Sequence, residues 1–245
     1  MDLSIVIPAL NESRKIESDI RAAVDFLKEN NLTGEIIVVD DGSHDGTTSV
    51  AEKVIISREG IAKQVIYYPV HRGKGYALRA GVSKSKGDFV LFADSGLNIP
   101  YKYAAAGLLL LKSGKYNIAH GSRKLKESLI IRKQNLFRRI SSFFFRLLVH
   151  YTIHIPYKLS DTQCGFKLYQ GRYARILYAE CQSDGFMFDI EIILLAARHH
   201  YKIIEFPVEW RCDPDSRLHP LRNMYQNISE LIDIKRRFMR INSEA

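Results

Sequence analysis

The chain has 245 residues, of which 46% are hydrophobic and 26% charged. That length suits one sizeable α/β domain, and the composition excludes a disordered chain. The net charge of +9, from 36 Lys and Arg against 27 Asp and Glu, suits nucleotide phosphate, an anionic membrane surface, nucleic acid, or only a solvated basic surface; with no zinc-finger spacing or RNA-binding signature, no nucleic-acid partner is expected.

In chain order, Leu3 to Ile7 is a short β-branched run ended by Pro8 and reads as a buried strand. Asn11 to Asn30 reads as a helix with Ile16, Ile20, Val24 and Leu27 on one face. Glu35 to Val39 is a second strand that runs into Asp40-Asp41-Gly42-Ser43, and Asp45 or Thr47 can cap the helix behind it. Gln64 to Tyr68 is a third strand, Lys74 to Ser83 a helix behind a glycine-rich turn, and Asp88 to Ala93 a fourth strand ending at Asp94. Strands alternating with helices imply a mostly parallel, Rossmann-like sheet flanked by helices, with ligands at the carboxyl ends of the strands. The polar clusters Asn11-Glu12, Asp40-Asp41 and Asp94 fall at those ends.

The second half is less regular. Asn117 to His120 is a candidate strand before Gly121-Ser122-Arg123, and Arg132 to Tyr151 has helical spacing. Asp161 to Tyr169 holds a loop and a strand, Phe186 to His199 a helix, Ile203 to Trp210 a strand and Asn223 to Arg240 a terminal helix. In the 132–151 segment Leu136, Phe137, Ile140, Phe143, Phe144, Leu147, Leu148 and Tyr151 form one stripe. It reads either as a core-facing helix or as an interfacial one, with aromatics at headgroup depth and arginines on anionic lipid. Three cysteines, Cys164, Cys181 and Cys212, lack paired C-x-x-C spacing, so neither a disulfide framework nor a structural zinc is expected. A reducing cytoplasmic compartment fits. Met1-Asp2-Leu3-Ser4 runs directly into a strand, so no signal peptide is expected, and no apolar run reaches the ~18 residues of a membrane span.

Two adjacent carboxylates at a strand end before a glycine turn are good acceptors for uracil N–H and ribose hydroxyls; an Asp-Gly turn with a helix cap gives the same pattern. Three further elements accompany them: Pro8-Ala9-Leu10-Asn11-Glu12, Arg72-Gly73-Lys74-Gly75 and Phe92-Ala93-Asp94. The four, in this order and at these intervals, resemble glycosyltransferase family two, whose fold is called GT-A. Ser160-Asp161-Thr162-Gln163-Cys164-Gly165-Phe166-Lys167, Phe188-Asp189-Ile190-Glu191 and Pro207-Val208-Glu209-Trp210 extend the resemblance to nearly the whole chain. They are similar to the dolichyl-phosphate glucosyltransferase and mannosyltransferase branch.

The resemblance implies a single GT-A domain over residues 1–245, with a nucleotide-sugar half at 1–120 and an acceptor and membrane-proximal half at 121–245. Pro8, Leu10 and Glu12 would line the nucleobase and ribose pocket. Asp41 would contact the base and Asp40 support the loop. Lys74 would meet the nucleotide, and Arg123 and Arg132 the diphosphate, where cations stabilise charge gathering in the transition state. Asp94 would open the family's D-x-D metal motif for Mg²⁺ or Mn²⁺, but the sequence reads Asp94-Ser95-Gly96. The second carboxylate is missing, which leaves one carboxylate plus diphosphate, helped by Asn98, or a weaker site. Asp161 would be the acceptor-side carboxylate, acting as a base toward a hydroxyl or orienting a phosphate through a metal or Lys167. Glu191 either orients the acceptor or fixes cationic neighbours.

The expected activity is inverting transfer of a hexose, glucose first, from a UDP- or GDP-sugar to a polyprenyl (dolichyl-like) phosphate. The enzyme would be peripherally attached to the cytoplasmic face of a membrane. A polysaccharide or glycolipid acceptor, and a catalytically silent nucleotide-sugar-binding protein, are the rival readings. No G-x-G-x-x-G follows the first strand, so a dehydrogenase or methyltransferase is not expected.

Overall fold

The computed structural model describes residues 1–132, 153, 155, 157–213 and 220–243. The first half follows the alternation in the sequence: β1 (Leu3–Ala9), α1 (Ile16–Glu29), β2 (Gly34–Asp40), α2 (Thr47–Lys53), β3 (Ile61–Tyr67), α3 (Lys74–Lys84) and β4 (Phe89–Ala93). Then come α4 (Ala104–Lys112), β5 (Ile118–Ser122), β6 (Leu129–Arg132), β7 (Phe166–Gln170), α5 (Gly171–Glu180), α6 (Phe188–Arg198), β8 (Ile203–Pro207), β9 (Glu209–Arg211) and α7 (Pro220–Ser243). Seven strands form one sheet in the order β3-β2-β1-β4-β7-β5-β8, parallel except for β7, which runs antiparallel to both neighbours. β6 and β9 form a separate parallel pair.

Alternation within the buried strands divides the core. Ile5, Ile7, Ile36, Val38 and Leu91 face α1 through Ile16, Ile20, Ala23 and Leu27. Val6, Ile37, Val39, Val90 and Phe92 face α3 and α6 through Ala77, Leu78, Phe188, Ile192 and Leu195. Parallel strands covered on both faces read as continuous apolar runs, which is why β1, β2 and β4 were legible. β1 lies between β2 and β4, so strand order reverses there, and the carboxyl ends of β1 and β4 are the place where an open α/β sheet ordinarily binds its ligand.

Several boundaries differ from the sequence expectation. α1 starts at Ile16, not Asn11, because side chains of the β2–α2 loop take the backbone N–H groups before it. Asn11, Glu12 and Ser13 donate to Ser43 Oγ (2.6 Å), Thr47 Oγ1 (2.8 Å) and Asp45 Oδ2 (3.1 Å). The expected strand at 203–210 is split: after Pro207 the chain leaves the large sheet and pairs with β6 as β9. Arg132 ends β6 and starts no described helix, and the aromatic stripe at 136–151 lies outside the described residues. Among the described residues no helix is long and apolar enough to cross a membrane.

Candidate active site

The loops at the carboxyl ends of β1, β2 and β4 are tied together by buried carboxylates. Asp40 is fully buried; its Oδ1 accepts the Ser43 N–H at 2.9 Å and its Oδ2 the Thr48 hydroxyl. Asp41 holds the following loop. Its oxygens accept the N–H groups of Arg72 (2.7 Å) and Gly73 (2.9 Å), and His71 Nδ1 lies 2.7 Å from Oδ2. Both oxygens of Asp41, expected on the base, are thus engaged with the 71–73 turn. That turn presses against the loop before α6, where a Cβ on Gly73 would meet the Asp184 carbonyl oxygen at 2.4 Å and one on Gly75 the Ser183 oxygen at 2.3 Å. Both positions therefore require glycine for close approach. Asp41→Ala is expected to free this turn and to weaken UDP or GDP binding by roughly 1–3 kcal/mol, the cost of unpaired buried donors. An unchanged affinity by calorimetry would remove Asp41 from the site.

The turn after β4 has a support that the sequence reading missed. Asp19, fully buried on α1, accepts the Ser95 hydroxyl at 2.6 Å, the Gly96 N–H at 3.0 Å and the Leu97 N–H at 3.1 Å. Burial raises its pKa against those hydrogen bonds. The carboxylate holds a turn whose backbone is left-handed at Gly96 (φ 96°) and Leu97 (φ 50°). A sequence signal was present: Asp19 interrupts the apolar face of α1 between Ile16 and Ile20.

On that turn Asp94 Oδ1 meets Lys74 Nζ at 2.7 Å, and the Asp94 N–H donates to the Gly165 carbonyl at 2.9 Å. A Cβ on Gly165 would lie 1.9 Å from Asp94 Oδ2, so any side chain there would push the Asp94 carboxylate out of its place. At the head of that segment Asp161, 2% exposed, forms a bidentate pair with Arg123: Nε to Oδ2 at 2.6 Å and Nη2 to Oδ1 at 2.7 Å. The Arg123 N–H adds a third bond at 3.0 Å. Burial pushes the Asp161 pKa up, but Arg123 outweighs it and holds the carboxylate at about 2. Glu205 of β8 accepts the N–H groups of Ser160 (2.8 Å) and Asp161 (2.9 Å), and Trp210 lies under the guanidinium.

Behind this pair is a second one. Lys167, 1% exposed, binds Asp189 and donates to the Thr162 carbonyl at 3.0 Å. Lys167 is therefore not open to an acceptor phosphate, the role considered for it from sequence. Burial raises the Asp189 pKa against the pull of Lys167 and Lys74. His120, across from Lys167 in the β5–β7 register, is buried with both ring nitrogens lacking partners among the described residues. Burial, then Lys167, depresses its pKa, so it stays neutral. Glu191 takes the second of its two readings: it accepts the Ser183 N–H at 2.7 Å and pairs with Arg237 of α7 at 3.1 Å. Of the three cations in this cluster, Lys74 and Arg123 keep 21% and 24% side-chain exposure, while Lys167 is sealed.

Pro8, Leu10 and Glu12, at and just after the carboxyl end of β1, are half-buried, with Glu12 3.4 Å from Lys15. Arg132 stands apart, exposed on β6 opposite Arg211. No cluster of three or more His, Cys, Asp or Glu able to hold a metal occurs among the described residues. Asp94 supplies one hard oxygen donor set on its turn. Asp213, paired to Lys15 at 2.6 Å, brings a carboxylate to the Gly96 side, where an added Cβ would lie 3.4 Å from its Oδ2. That chemistry fits a divalent ion that completes its shell with water and donor phosphate.

The model of Glycosyl transferase family 2 matches residues 4–169, the span that holds Asp40, Asp41, Lys74, Asp94, Arg123 and Asp161. The chain belongs to this family. It is a glycosyltransferase. Dolichyl-phosphate beta-glucosyltransferases from Dictyostelium discoideum and Homo sapiens are 29% and 30% identical to it, each over 97% of this chain and 75% and 76% of their own. The protein of that name from Saccharomyces cerevisiae is 32% identical over 85% of this chain and 66% of its own. Among solved structures, glucosyl-3-phosphoglycerate synthase from Mycobacterium tuberculosis, in complex with Mn²⁺, UDP-glucose and phosphoglyceric acid, superposes with a TM-score of 0.72 at 22% identity, covering 96% of this chain and 79% of that one. Mannosyl-3-phosphoglycerate synthase from Rubrobacter xylanophilus gives 0.65 at 16% identity, covering all of this chain and 76% of its own. The family fold is thus the GT-A fold expected from the sequence motifs.

Proposed function

We propose that this glycosyltransferase moves glucose from a UDP- or GDP-linked donor to a polyprenyl (dolichyl-like) phosphate, with inversion, while attached peripherally to the cytoplasmic face of a membrane. The observation that carries the acceptor class is the state of Asp161. A carboxylate held at about 2 by a bidentate arginine is a poor proton acceptor for a sugar hydroxyl, whose transfer needs a base. A lipid phosphate is already ionised near neutral pH and needs none. This favours the phosphate acceptor over a polysaccharide hydroxyl, and the names of the relatives agree with it.

On this reading residues 1–120 hold the donor and 121–245 the acceptor and membrane side of one domain. Pro8, Leu10 and Glu12 frame the nucleoside, Asp40 and Asp41 fix the loops around it, and Lys74 and Arg123 face the diphosphate. An acceptor phosphate oxygen attacks the anomeric carbon, and the bond to the donor diphosphate breaks, its electron pair leaving on the nucleotide. No proton has to move. Charge builds on the departing diphosphate, so cations placed there act most strongly in the transition state. Asp161 keeps Arg123 aimed. Asp94 would hold a Mg²⁺ or Mn²⁺ ion brought with the donor, and the ion supplies further neutralisation of the diphosphate.

Transfer screened over UDP- and GDP-sugars, with polyprenyl phosphate present or absent and with or without EDTA, tests this reading. Consumption of a glucose donor that depends on the lipid phosphate is expected. Transfer to hydroxyl acceptors alone would overturn it.

A further inference from the structure

Strand β6 departs from the burial pattern of the main sheet. Parallel strands are ordinarily covered on both faces, yet every residue of β6 is exposed, with Leu129 at 55%, Ile130 at 37% and Ile131 at 57%. A register shift between Ile130 and Arg132 breaks the regular pairing with β9. Three consecutive aliphatic side chains in water, on an element that could have been polar, mark a contact surface. A second observation lies at the end of the strand. Arg132 stands opposite Arg211 in the β6–β9 register, and Arg211 is held by Glu209 at 2.9 Å, so the strand ends on the exposed cation Arg132. The connector before β6 adds the exposed Lys124 and Lys126, against Glu127 and the Glu209 of β9, so the rim is positive.

The patch also borders the active site. The Ser128 hydroxyl donates to the Ser122 carbonyl at 2.6 Å and the Leu129 N–H to the Val208 carbonyl at 3.0 Å. These bonds tie β6 to the end of β5, next to Arg123. We infer that β6 is the edge by which the protein docks on an anionic lipid bilayer. Leu129, Ile130 and Ile131 enter the acyl boundary, and Arg132, with Lys124 and Lys126 on the rim, faces lipid phosphate. The inference rests on the lipid-phosphate acceptor proposed above and names the element that meets the membrane. It sets Arg123 near headgroup depth, where an acceptor phosphate resides.

Flotation of the full chain with phosphatidylcholine vesicles, with and without phosphatidylglycerol, tests it. The parent is expected to float with the anionic vesicles at low salt and to be released as salt rises. Replacing Leu129, Ile130 and Ile131 together by Ser is expected to weaken that binding by at least ~10-fold. The same variant should keep the parent's unfolding midpoint, UDP affinity and transfer to a short, water-soluble prenyl phosphate. Equal flotation of variant and parent overturns the inference, as does a parent that stays with neither vesicle. A parent that sediments as a dimer and a variant that sediments as a monomer also overturns it, because the patch then covers a second copy. If the parent floats and the variant does not, while neither glycosylates any lipid phosphate, the docking surface stands and the proposed acceptor fails.

Discussion

Arg123→Ala is expected to lower turnover by roughly 10²–10³-fold, the range for removing one group that stabilises charge in a transition state, with little change in donor affinity. Arg123 is paired with Asp161 and keeps 24% side-chain exposure, and on the proposed reading its charge faces the departing diphosphate. Asp161→Asn leaves the arginine in place but removes its counter-charge. It is expected to lower turnover in the same direction and to destabilise the fold by ~3 kcal/mol, the low end for breaking a buried pair, because Arg123 retains some solvent contact. The acid limb of stability separates this role from simple packing. The ordinary Asp pKa of 3.8 falls to about 2 in the folded protein, so Asp161 stabilises fully above pH 4 and loses that contribution as pH falls from about 4 to 2. The linkage amounts to about 2 kcal/mol. Thermal unfolding followed over that window should show a steeper loss for the parent than for Asp161→Asn. Parallel curves would mean that the pair is not formed in solution.

Asp19→Ala should have the second large effect, although Asp19 touches no reacting atom. It leaves the Ser95 hydroxyl and the Gly96 and Leu97 N–H groups without their shared acceptor, at ~2–4 kcal/mol for several unsatisfied buried donors. The turn so released carries Asp94 and, through it, Lys74. Turnover measured well below the unfolding midpoint is therefore expected to fall by roughly 10-fold or more, and the concentration of Mg²⁺ or Mn²⁺ giving half-maximal rate to rise. Asp19→Asn keeps one acceptor oxygen and should recover part of both losses. A variant destabilised to the same degree but with parental metal dependence would reduce Asp19 to a structural residue with no bearing on the site.

The contrast between Asp40 and Asp19 shows which parts of the site a sequence can reveal. Asp40 and Asp41 end a continuous apolar strand and precede a glycine turn, so local pattern alone placed them at a ligand-binding edge. Asp19 acts on residues more than seventy positions away, and only its intrusion on an apolar helix face hinted at it. The Arg123–Asp161 pair joins a strand end to a loop thirty-eight residues on; motif resemblance marked both residues, but nothing local said that they would bind each other rather than substrate. The same holds for Lys74 and Asp94, and for Lys167, whose burial against Asp189 no local pattern shows. Among the elements, α4 was missed because Ala104 to Leu111 carries no polar residue to mark a face. Strand β6 was missed because its four residues, Leu129 to Arg132, are too short a run to show alternation of apolar and polar positions.

The most direct measurement of the central claim is NMR of the lipid product made from an α-linked glucose donor and polyprenyl phosphate. A β-linked glucosyl phosphate is predicted, because a single in-line displacement by the acceptor oxygen inverts the anomeric carbon. An α-linked product, or release of free glucose with no glycosylated lipid, would contradict the account.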